Sequence, residues 1–253
     1  MSLLRREWHY FLLALQFFTR IPVPASTPYS EAALNASSRY FPLVGLLVGG
    51  LCAAVIWLAL FAFALPVAIF LGLLASLLIT GGFHEDGLAD FADGMGGGWE
   101  REKILTIMQD SRLGTFGALT LIMALGGKFL LLFSLPLQWL LLLLIAGHGV
   151  SRLSAVSMLL TESYARENGK AKPLATAMNL PAFLFAAATA TLPFFFLPPL
   201  FLLAVLPLLP LRLWFAHWLR RWLGGFTGDC LGALQQLSEL LFLLGAVSLC
   251  RFI

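Results

Sequence analysis

Charge is scarce in this sequence. Only 11% of its 253 residues are Asp, Glu, Lys or Arg, whereas 60% are hydrophobic. The net charge of +3 is modest and no basic run occurs, so the composition gives no indication of a nucleic-acid-binding protein. The three cysteines, Cys52, Cys230 and Cys250, lack paired metal-ligand spacing. We expect them to be inert packing residues in a reducing compartment.

Familiar catalytic signatures are missing as well. The sequence contains no nucleophile elbow, no zinc signature and no P-loop. Arg5 and Arg6 precede an apolar run, as they would in a signal peptide. The run is followed by Arg-Ile-Pro-Val-Pro at 20–24 instead of a small-residue cleavage site, so we expect no cleavable signal peptide.

Long apolar runs, by contrast, are abundant. The mean hydropathy is +0.89, and several runs approach the roughly 20 apolar residues that a helix needs to cross a bilayer. No linker or convincing repeat interrupts them. We therefore predict one all-α polytopic membrane domain over 1–253, with about six to seven transmembrane helices and a site on the cytoplasmic side. The predicted spans are 41–65, 66–83, 113–135, 138–160, 181–198, 199–217 and 231–250.

The N-terminal segment 1–40 is expected to be interfacial and amphipathic. Its apolar stretch, 8–18, is too short to cross a bilayer, so we expect it to lie in the interface or to pack on the bundle.

The basic residues predict the orientation. They occur in the long connections, whereas the short connections near Pro66, Pro136 and Pro198 carry no charge. The positive-inside rule then places the N-terminus and every long loop in the cytoplasm. The residues that support this orientation are Arg5, Arg6, Arg20, Arg39, Arg101, Lys103, Arg112, Arg166, Lys170, Lys172, Arg220 and Arg221.

One segment concentrates the acid. Four of the thirteen acidic residues, Glu85, Asp86, Asp90 and Asp93, fall within nine positions. Carboxylates beside a bilayer are costly unless a cation compensates them. The spacing i, i+4, i+7 puts the three aspartates on one face if the segment is helical. Such a face suits a hard divalent cation, and we predict Mg²⁺. The alternative is a solvated helix-capping loop.

The residues that follow favour phosphate binding. Gly96 and Gly97 would let backbone N–H groups approach a phosphate closely. Asp110 is a candidate for a further metal ligand or an arginine partner, and Arg112 for a bidentate phosphate clamp. Arg112 could instead be only a topology-setting charge. We expect 84–112 to form a cytoplasmic, acidic and glycine-rich catalytic loop.

Polar residues also interrupt the predicted spans. Lys128 either snorkels or faces the bundle interior. His148 and Arg152 are one helical turn apart and share a face. An intramembrane arginine more often serves a ligand or an acidic partner than lipid.

A glycine-rich bend before the last span resembles the first acidic segment. It presents Asp229, and Gln235 and Glu239 follow on the predicted helix. Clustered aspartates, flexible glycines and several cations are the equipment of diphosphate chemistry. The residues alone therefore predict a membrane-embedded, metal-dependent phosphotransferase that acts on a nucleotide-diphosphate-linked substrate.

These motifs closely resemble those of the cobalamin synthase family, also called adenosylcobinamide-GDP ribazoletransferase. The resemblance covers nearly the whole chain, although 181–210 is matched by hydropathy only. The segments that carry it are 16–24, 40–45, 82–94, 110–117, 151–152, 164–166 and 225–229.

The resemblance implies a late step of vitamin B12 biosynthesis in a bacterial plasma (inner) membrane. Adenosylcobinamide-GDP would be joined to α-ribazole or its 5′-phosphate, with Mg²⁺ required and GMP released. The implied partners are these substrates and membrane lipid, without nucleic acid; a homo-oligomer or a complex with other cobalamin-pathway enzymes is compatible with them.

It also implies residue roles. Three carboxylates would hold Mg²⁺ at the two phosphates: Asp86, Asp90 and Asp93. One of these or His84 would take the proton of the attacking hydroxyl. Two arginines would neutralise the diphosphate and the departing GMP: Arg112 and Arg152. Two further aspartates would support or extend the ligand set: Asp110 and Asp229.

Three alternatives stay open at this point. A CDP-alcohol phosphotransferase also uses spaced aspartates, but Asp90 stands where that family's pattern has arginine. A corrinoid transporter would explain the polar residues within spans. An assembly scaffold would need no carboxylate cluster.

Overall fold

The protein is described from a computed structural model that covers residues 3–25, 27, 29–165 and 175–253. In these residues the chain is helical, and an isolated parallel bridge joins Tyr164 to Phe226. Arg166, Lys170 and Lys172, used above to predict the orientation, lie outside the described residues.

Twelve α-helices are found in the described residues. They are α1 Leu3–Phe18, α2 Glu31–Ser37, α3 Phe41–Ala59, α4 Leu65–Thr80, α5 Phe83–Gly97, α6 Arg101–Ile107, α7 Thr115–Phe133, α8 Leu137–Val156, α9 Met158–Thr161, α10 Leu180–Ala190, α11 Leu208–Leu223 and α12 Gly228–Leu249. Short 3₁₀ segments occupy Ser38–Tyr40, Leu192–Phe196, Pro199–Val205 and Cys250–Phe252.

The prediction of an all-α polytopic membrane protein is confirmed. Five helical stretches of the described residues have the length and composition to cross a membrane, and a bent pair, α4 with α5, makes a sixth. The five are Glu31–Ala59, Thr115–Phe133, Leu137–Thr161, Pro199–Leu223 and Gly228–Phe252.

The predicted span 181–198 is shorter than expected. Its α-helix, α10, ends at Ala190, and the chain continues as a 3₁₀ segment. Pro193 lies in that segment. A proline inside a helix removes a backbone donor and clashes with the preceding turn, so a regular helix does not continue through it.

The helix that carries the acidic segment turns sharply from the span before it. Gly81 and Gly82 both have φ of +69°, a conformation that glycine adopts without a Cβ penalty. Helices α4 and α5 consequently meet at 86°. The acidic part of the expected catalytic loop is therefore α5, and α6 follows it within the same segment.

The N-terminal helix α1 is amphipathic, and one of its faces packs on the bundle. Its second half buries Leu12, Leu13 and Phe18, whereas Leu4 and Trp8 are exposed. The chain after it is tied to the end of α4, because the Arg20 amide donates to the Ile79 carbonyl at 2.7 Å.

Two helix crossings that frame the site depend on glycine. A Cβ on Gly45 of α3 would overlap the His148 carbonyl of α8. A Cβ on Gly232 of α12 would lie 3.3 Å from the Cα of Gly87 on α5. Small residues let helix backbones approach closely in membrane proteins, so the acidic helix is seated directly on α12.

Candidate active site

Helix α5 presents the three aspartates as the spacing predicts. Asp86 is exposed, Asp90 is half-buried and Asp93 is buried. Glu85 and Asp86 lie in the first helical turn, where the helix dipole stabilises negative charge.

Asp93 caps the next membrane helix. Its Oδ2 accepts from the Gly114 amide at 2.7 Å and its Oδ1 accepts from the Gly117 amide at 2.8 Å. Gly114 is the N-cap residue of α7 and Gly117 lies in its first turn, where the N–H groups have no partner within the helix. A Cβ on either glycine would overlap the Asp93 carboxylate, which explains why the motif has glycine at both positions. A metal ion bound by Asp93 would have to share its carboxylate oxygens with the amides of this cap.

Asp229 lies beside the acidic helix, although it is far away in sequence. A Cβ on Gly87 would be 3.1 Å from the Cα of Asp229, so the start of α12 runs next to the turn that carries Asp86. Thr227 begins this helix by accepting from the Cys230 amide at 3.3 Å, and its hydroxyl donates to Asp229 at 3.4 Å. The two glycine-rich segments thus meet in space.

Asp110 and Arg112 pair with each other. Arg112 donates from its Nη2 to Asp110 Oδ2 at 2.6 Å and from Nε to both carboxylate oxygens at 3.0 Å. These hydrogen bonds hold the pKa of the Asp110 carboxyl below its ordinary value and raise the pKa of Arg112. The Arg112 side chain is 87% exposed, so it can reorient toward a phosphate.

A surface pocket joins this pair to the end of α5. Asp93, Gly97, Asp110 and Arg112 line it together with Phe116. Gly96 lies against the ring of Phe116, where a Cβ would collide with the ring. The two glycines thus border the predicted phosphate-binding region, Gly97 as part of the pocket wall.

The carboxylates do not form a preassembled cage. Among the described residues, no group of three or more His, Cys, Asp or Glu side chains could hold a metal ion. Mg²⁺ commonly uses only one or two carboxylates, with substrate phosphates and waters completing its shell. Asp86 and Asp90, oxygen donors one turn apart on an accessible helix face, fit that mode of binding.

Behind the acidic helix lies a polar centre buried within the bundle. The Lys128 Nζ is 3.1 Å from Glu239 Oε1 and donates to Gln236 Oε1 at 3.0 Å. Gln236 in turn donates to Glu85 Oε1 at 2.9 Å. Each of these four side chains is at most 7% exposed. The centre thus connects α5 to α7 and α12 through charge-assisted hydrogen bonds, which are strong where water is excluded.

Arg152 and His148 extend the polar centre onto α8. Arg152 Nη1 donates to the His148 carbonyl at 3.0 Å and lies 3.1 Å from its Nδ1. Gln235 of α12 donates to Ser151 at 2.9 Å. The predicted shared face of His148 and Arg152 is confirmed. Of the two alternatives for Lys128, the structure shows the inward orientation, because its side chain is 3% exposed.

Sequence reasoning missed the roles of three residues, Glu85, Gln236 and Arg101. Glu85 was grouped with the aspartates, but it points into the polar centre; Gln236 was not singled out. Arg101 was considered only as a topological charge, yet it donates to the Leu223 carbonyl at 2.9 Å and the Ala165 carbonyl at 2.6 Å. It thereby braces the glycine-rich bend before Asp229. The run of Gln235, Gln236 and Glu239 on an apolar helix was the available signal for the buried centre.

The fold and this site define a class of protein: a polytopic, all-α membrane protein with an acidic helix at a sharp bend and a buried polar centre behind it. A family model described as cobalamin-5-phosphate synthase matches residues 10–247. No solved structure matches the chain.

Curated relatives match this chain over nearly their full length. An adenosylcobinamide-GDP ribazoletransferase of Ralstonia pickettii is 46% identical, with 98% of both chains covered. Proteins of the same description from Shewanella amazonensis and Vibrio cholerae are each 47% identical, covering 95% and 96% of this chain and 95% of each relative. The chain therefore belongs to the cobalamin-5-phosphate synthase family and is an enzyme. Family membership sets aside the CDP-alcohol phosphotransferase, the transporter and the scaffold.

Proposed function

We propose that the enzyme joins adenosylcobinamide-GDP to α-ribazole or its 5′-phosphate and releases GMP, with Mg²⁺ as cofactor. The observation that carries the proposal is the 46% identity to a ribazoletransferase over 98% of both chains. The acidic helix α5, seated on α12 beside Asp229, supplies a carboxylate site suited to a diphosphate.

The proposed reaction is a phosphoryl transfer. A ribose hydroxyl oxygen of the ribazole attacks the phosphorus that is attached to the cobinamide side chain. The new O–P bond forms as the anhydride bond to the second phosphate breaks, and GMP leaves with that bridging oxygen. Such reactions depend mainly on positioning and on charge stabilisation.

We assign the metal to Asp86 and Asp90 with the substrate's phosphates, and Asp229 to the support of that site. Bound there, Mg²⁺ would supply Lewis-acid charge stabilisation. Asp93 holds the N-terminus of α7 against the acidic helix, and Asp110 keeps Arg112 at the mouth of the neighbouring pocket. Arg112 would exchange Asp110 for a phosphate oxygen, and the buried charge of Arg152 would favour the anionic substrate.

The hydroxyl proton needs an acceptor. His84 is buried, at 4% exposure, and lies two residues before Asp86 on α5. A neutral imidazole can accept a proton, and so can a carboxylate of the acidic face. The variants His84→Gln and Asp90→Asn separate these assignments. A general base acts in its deprotonated form, so only the variant that lacks the base should lose the fall in rate on the acidic limb of the pH–rate profile.

We further propose that the site faces the cytoplasm of a bacterial inner membrane. The exposed basic residues Arg101, Lys103 and Arg112 border α6 and the start of α7, and positive charge favours the cytoplasmic side. Cysteine substitutions at Lys103 on α6, which precedes α7, and at Ser134, which ends α7, would test this orientation by labelling from one side of intact cells.

A direct test of the metal site compares Asp86→Asn with Glu100→Gln, an exposed acid at the start of α6. We expect Asp86→Asn to lower GMP release at least 100-fold at unchanged membrane yield, a loss typical of a catalytic charge, and to raise the Mg²⁺ concentration needed for half-maximal rate. Glu100→Gln should match the parent. Equal activity of the two variants would remove Asp86 from the metal site.

A further inference from the structure

The surface pocket at the end of α5 combines charge with an aromatic wall. Its volume is about 470 Å³, within the roughly 300–1,000 Å³ that small-molecule sites occupy. The pair of Asp110 and Arg112 lies in the same wall as the ring of Phe116, and Ile107 and Leu113 add apolar surface. The pocket therefore suits a flat molecule that also carries polar groups.

Phe116 provides a firmly held aromatic surface. Its ring lies so close to Gly96 of α5 that a Cβ there would overlap the ring. The turn that carries it is fixed on both sides, because the Asp93 carboxylate accepts from the amides of Gly114 and Gly117. The residue is nevertheless 53% exposed. An aromatic ring that is held on one side and exposed on another can stack with a nucleobase.

Asp110 brings two hydrogen-bond acceptors to the pocket. Its side chain is 38% exposed, and an ionised carboxylate accepts without donating. In the described part of the chain its hydrogen bonds come from Arg112, whose backbone amide, Nε and Nη2 all donate to it. When Arg112 turns to a phosphate, as proposed above, the carboxylate can accept from a different pair of adjacent N–H groups.

The pocket continues the acidic face of α5. Asp86, Asp90, Asp93 and Gly97 are spaced by four, three and four residues, so they share one face of the helix. Gly97 lies in the pocket wall, about 10 Å along the helix from Asp90 at a rise of about 1.5 Å per residue. A nucleotide whose phosphate is bound near Asp90 could therefore place its base in the pocket.

We propose that this pocket binds the guanine of the donor substrate and of the GMP that leaves, an inference that rests on the proposed function. Guanine presents its N1–H and its N2 amino group side by side, which matches the two oxygens of Asp110, and its flat ring system can stack on Phe116. Adenine has an acceptor at N1, which would face the carboxylate unpaired. Asp110 thus determines which nucleotide the enzyme accepts.

The test compares nucleotides as product inhibitors of the parent enzyme. We expect the Ki of GMP to be roughly 10- to 100-fold lower than that of AMP, the discrimination typical of one bidentate pair. IMP, which keeps N1–H but lacks the amino group, should fall between them.

Asp110→Asn should abolish the preference for GMP, because a carboxamide offers adenine both a donor and an acceptor. A merely structural or electrostatic role of Asp110 would change the Ki of GMP and AMP together and leave their ratio unaltered. Glu100→Gln, which removes an exposed acid at the start of α6, is the control and should keep the parent's ratio. Asp110→Ser carries the same test if Asp110→Asn yields little folded protein.

Phe116→Ala tests the stacking surface separately. It should raise the Ki of GMP and of AMP alike by roughly tenfold, since stacking on an aromatic ring is tolerant of the base. Phe133→Ala, at the other end of α7 and 47% exposed, is the matched control and should match the parent.

Direct binding of GMP and AMP, measured by equilibrium dialysis, separates this inference from the proposed function. Absence of GMP release from the parent protein would defeat the proposed function, even if the protein bound GMP selectively. Equal affinity of the parent for GMP and AMP, an undiminished preference for GMP in the Asp110 variants, or unchanged nucleotide binding in Phe116→Ala would overturn only the guanine site.

Discussion

At the scale of the residue, the buried pair of Lys128 and Glu239 dominates the interior. Their separation of 3.1 Å, at 3% and 1% exposure, places two charges where neither could remain alone. Breaking a buried pair leaves an uncompensated charge, whereas removing both partners can be nearly neutral.

We therefore expect Glu239→Ala to destabilise the protein by about 3–5 kcal/mol. The double variant Lys128→Met with Glu239→Leu should lose much less than the sum of the single changes. The thermal midpoint of the detergent-solubilised protein, followed by fluorescence-detected size exclusion, measures both. Glu102→Gln, at the exposed pair with Arg101, is the control. Additive losses in the double variant would contradict the account.

Asp93 and Asp86 differ in role although they share a helix face. Because Asp93 caps α7, we expect Asp93→Ala to lower stability by about 1–2 kcal/mol, the usual cost of losing an N-cap. Asp86→Ala should leave the thermal midpoint unchanged within error, because its side chain is exposed. If both variants lose the same stability, the distinction between a cap and a ligand fails.

The Asp110–Arg112 pair makes a prediction about pH. Arg112 lowers the pKa of Asp110. The Asp110 carboxylate therefore stays ionised and paired at every pH above its ordinary pKa, and the pair is lost only as pH falls through the lowered pKa. The pair should therefore not titrate between about pH 5 and 8. We expect Asp110→Asn to leave the shape of the pH–rate profile in this range unchanged, even if the rate falls. A shifted profile would mean that Asp110 titrates in the working range.

At the scale of the element, the bend between α4 and α5 positions the acidic face. The sequence predicted the apolar spans well, because runs of about 20 apolar residues have few other structures available to them in a bilayer. The bend could not be predicted in this way. Gly81-Gly82 is equally compatible with an ordinary loop, and the contact between Glu85 and Gln236 joins residues 151 positions apart. The aspartates' shared face followed from spacing alone, whereas the cap on α7 depended on how two helices meet.

A graded glycine series tests the bend. Gly50 has open space around a Cβ, Gly82 has open space but φ of +69°, and Gly81 has the same φ and would collide with the Arg20 side chain. We expect Gly50→Ala to be neutral, Gly82→Ala to cost about 1–2 kcal/mol for the left-handed conformation, and Gly81→Ala to cost more and to reduce GMP release. Equal effects at Gly50 and Gly81 would show that the bend does not position the site.

At the scale of the whole molecule, the acidic helix α5 is held in place by its contacts with α12, α7 and the buried polar centre. The crossing at Gly232, the buried polar centre and the cap on α7 all involve α5. This convergence could not be read from composition, but the resemblance in motifs predicted the family correctly.

The central claim is that this site transfers a corrinoid phosphoryl group. The most direct measurement supplies the purified, detergent-solubilised protein with adenosylcobinamide-GDP and α-ribazole, with Mg²⁺ or with EDTA, and quantifies both products. The account predicts GMP and a cobalamin in a one-to-one ratio, only with Mg²⁺. Failure to form either product with folded, lipid-supplemented protein, or GMP release without cobalamin formation, would contradict it.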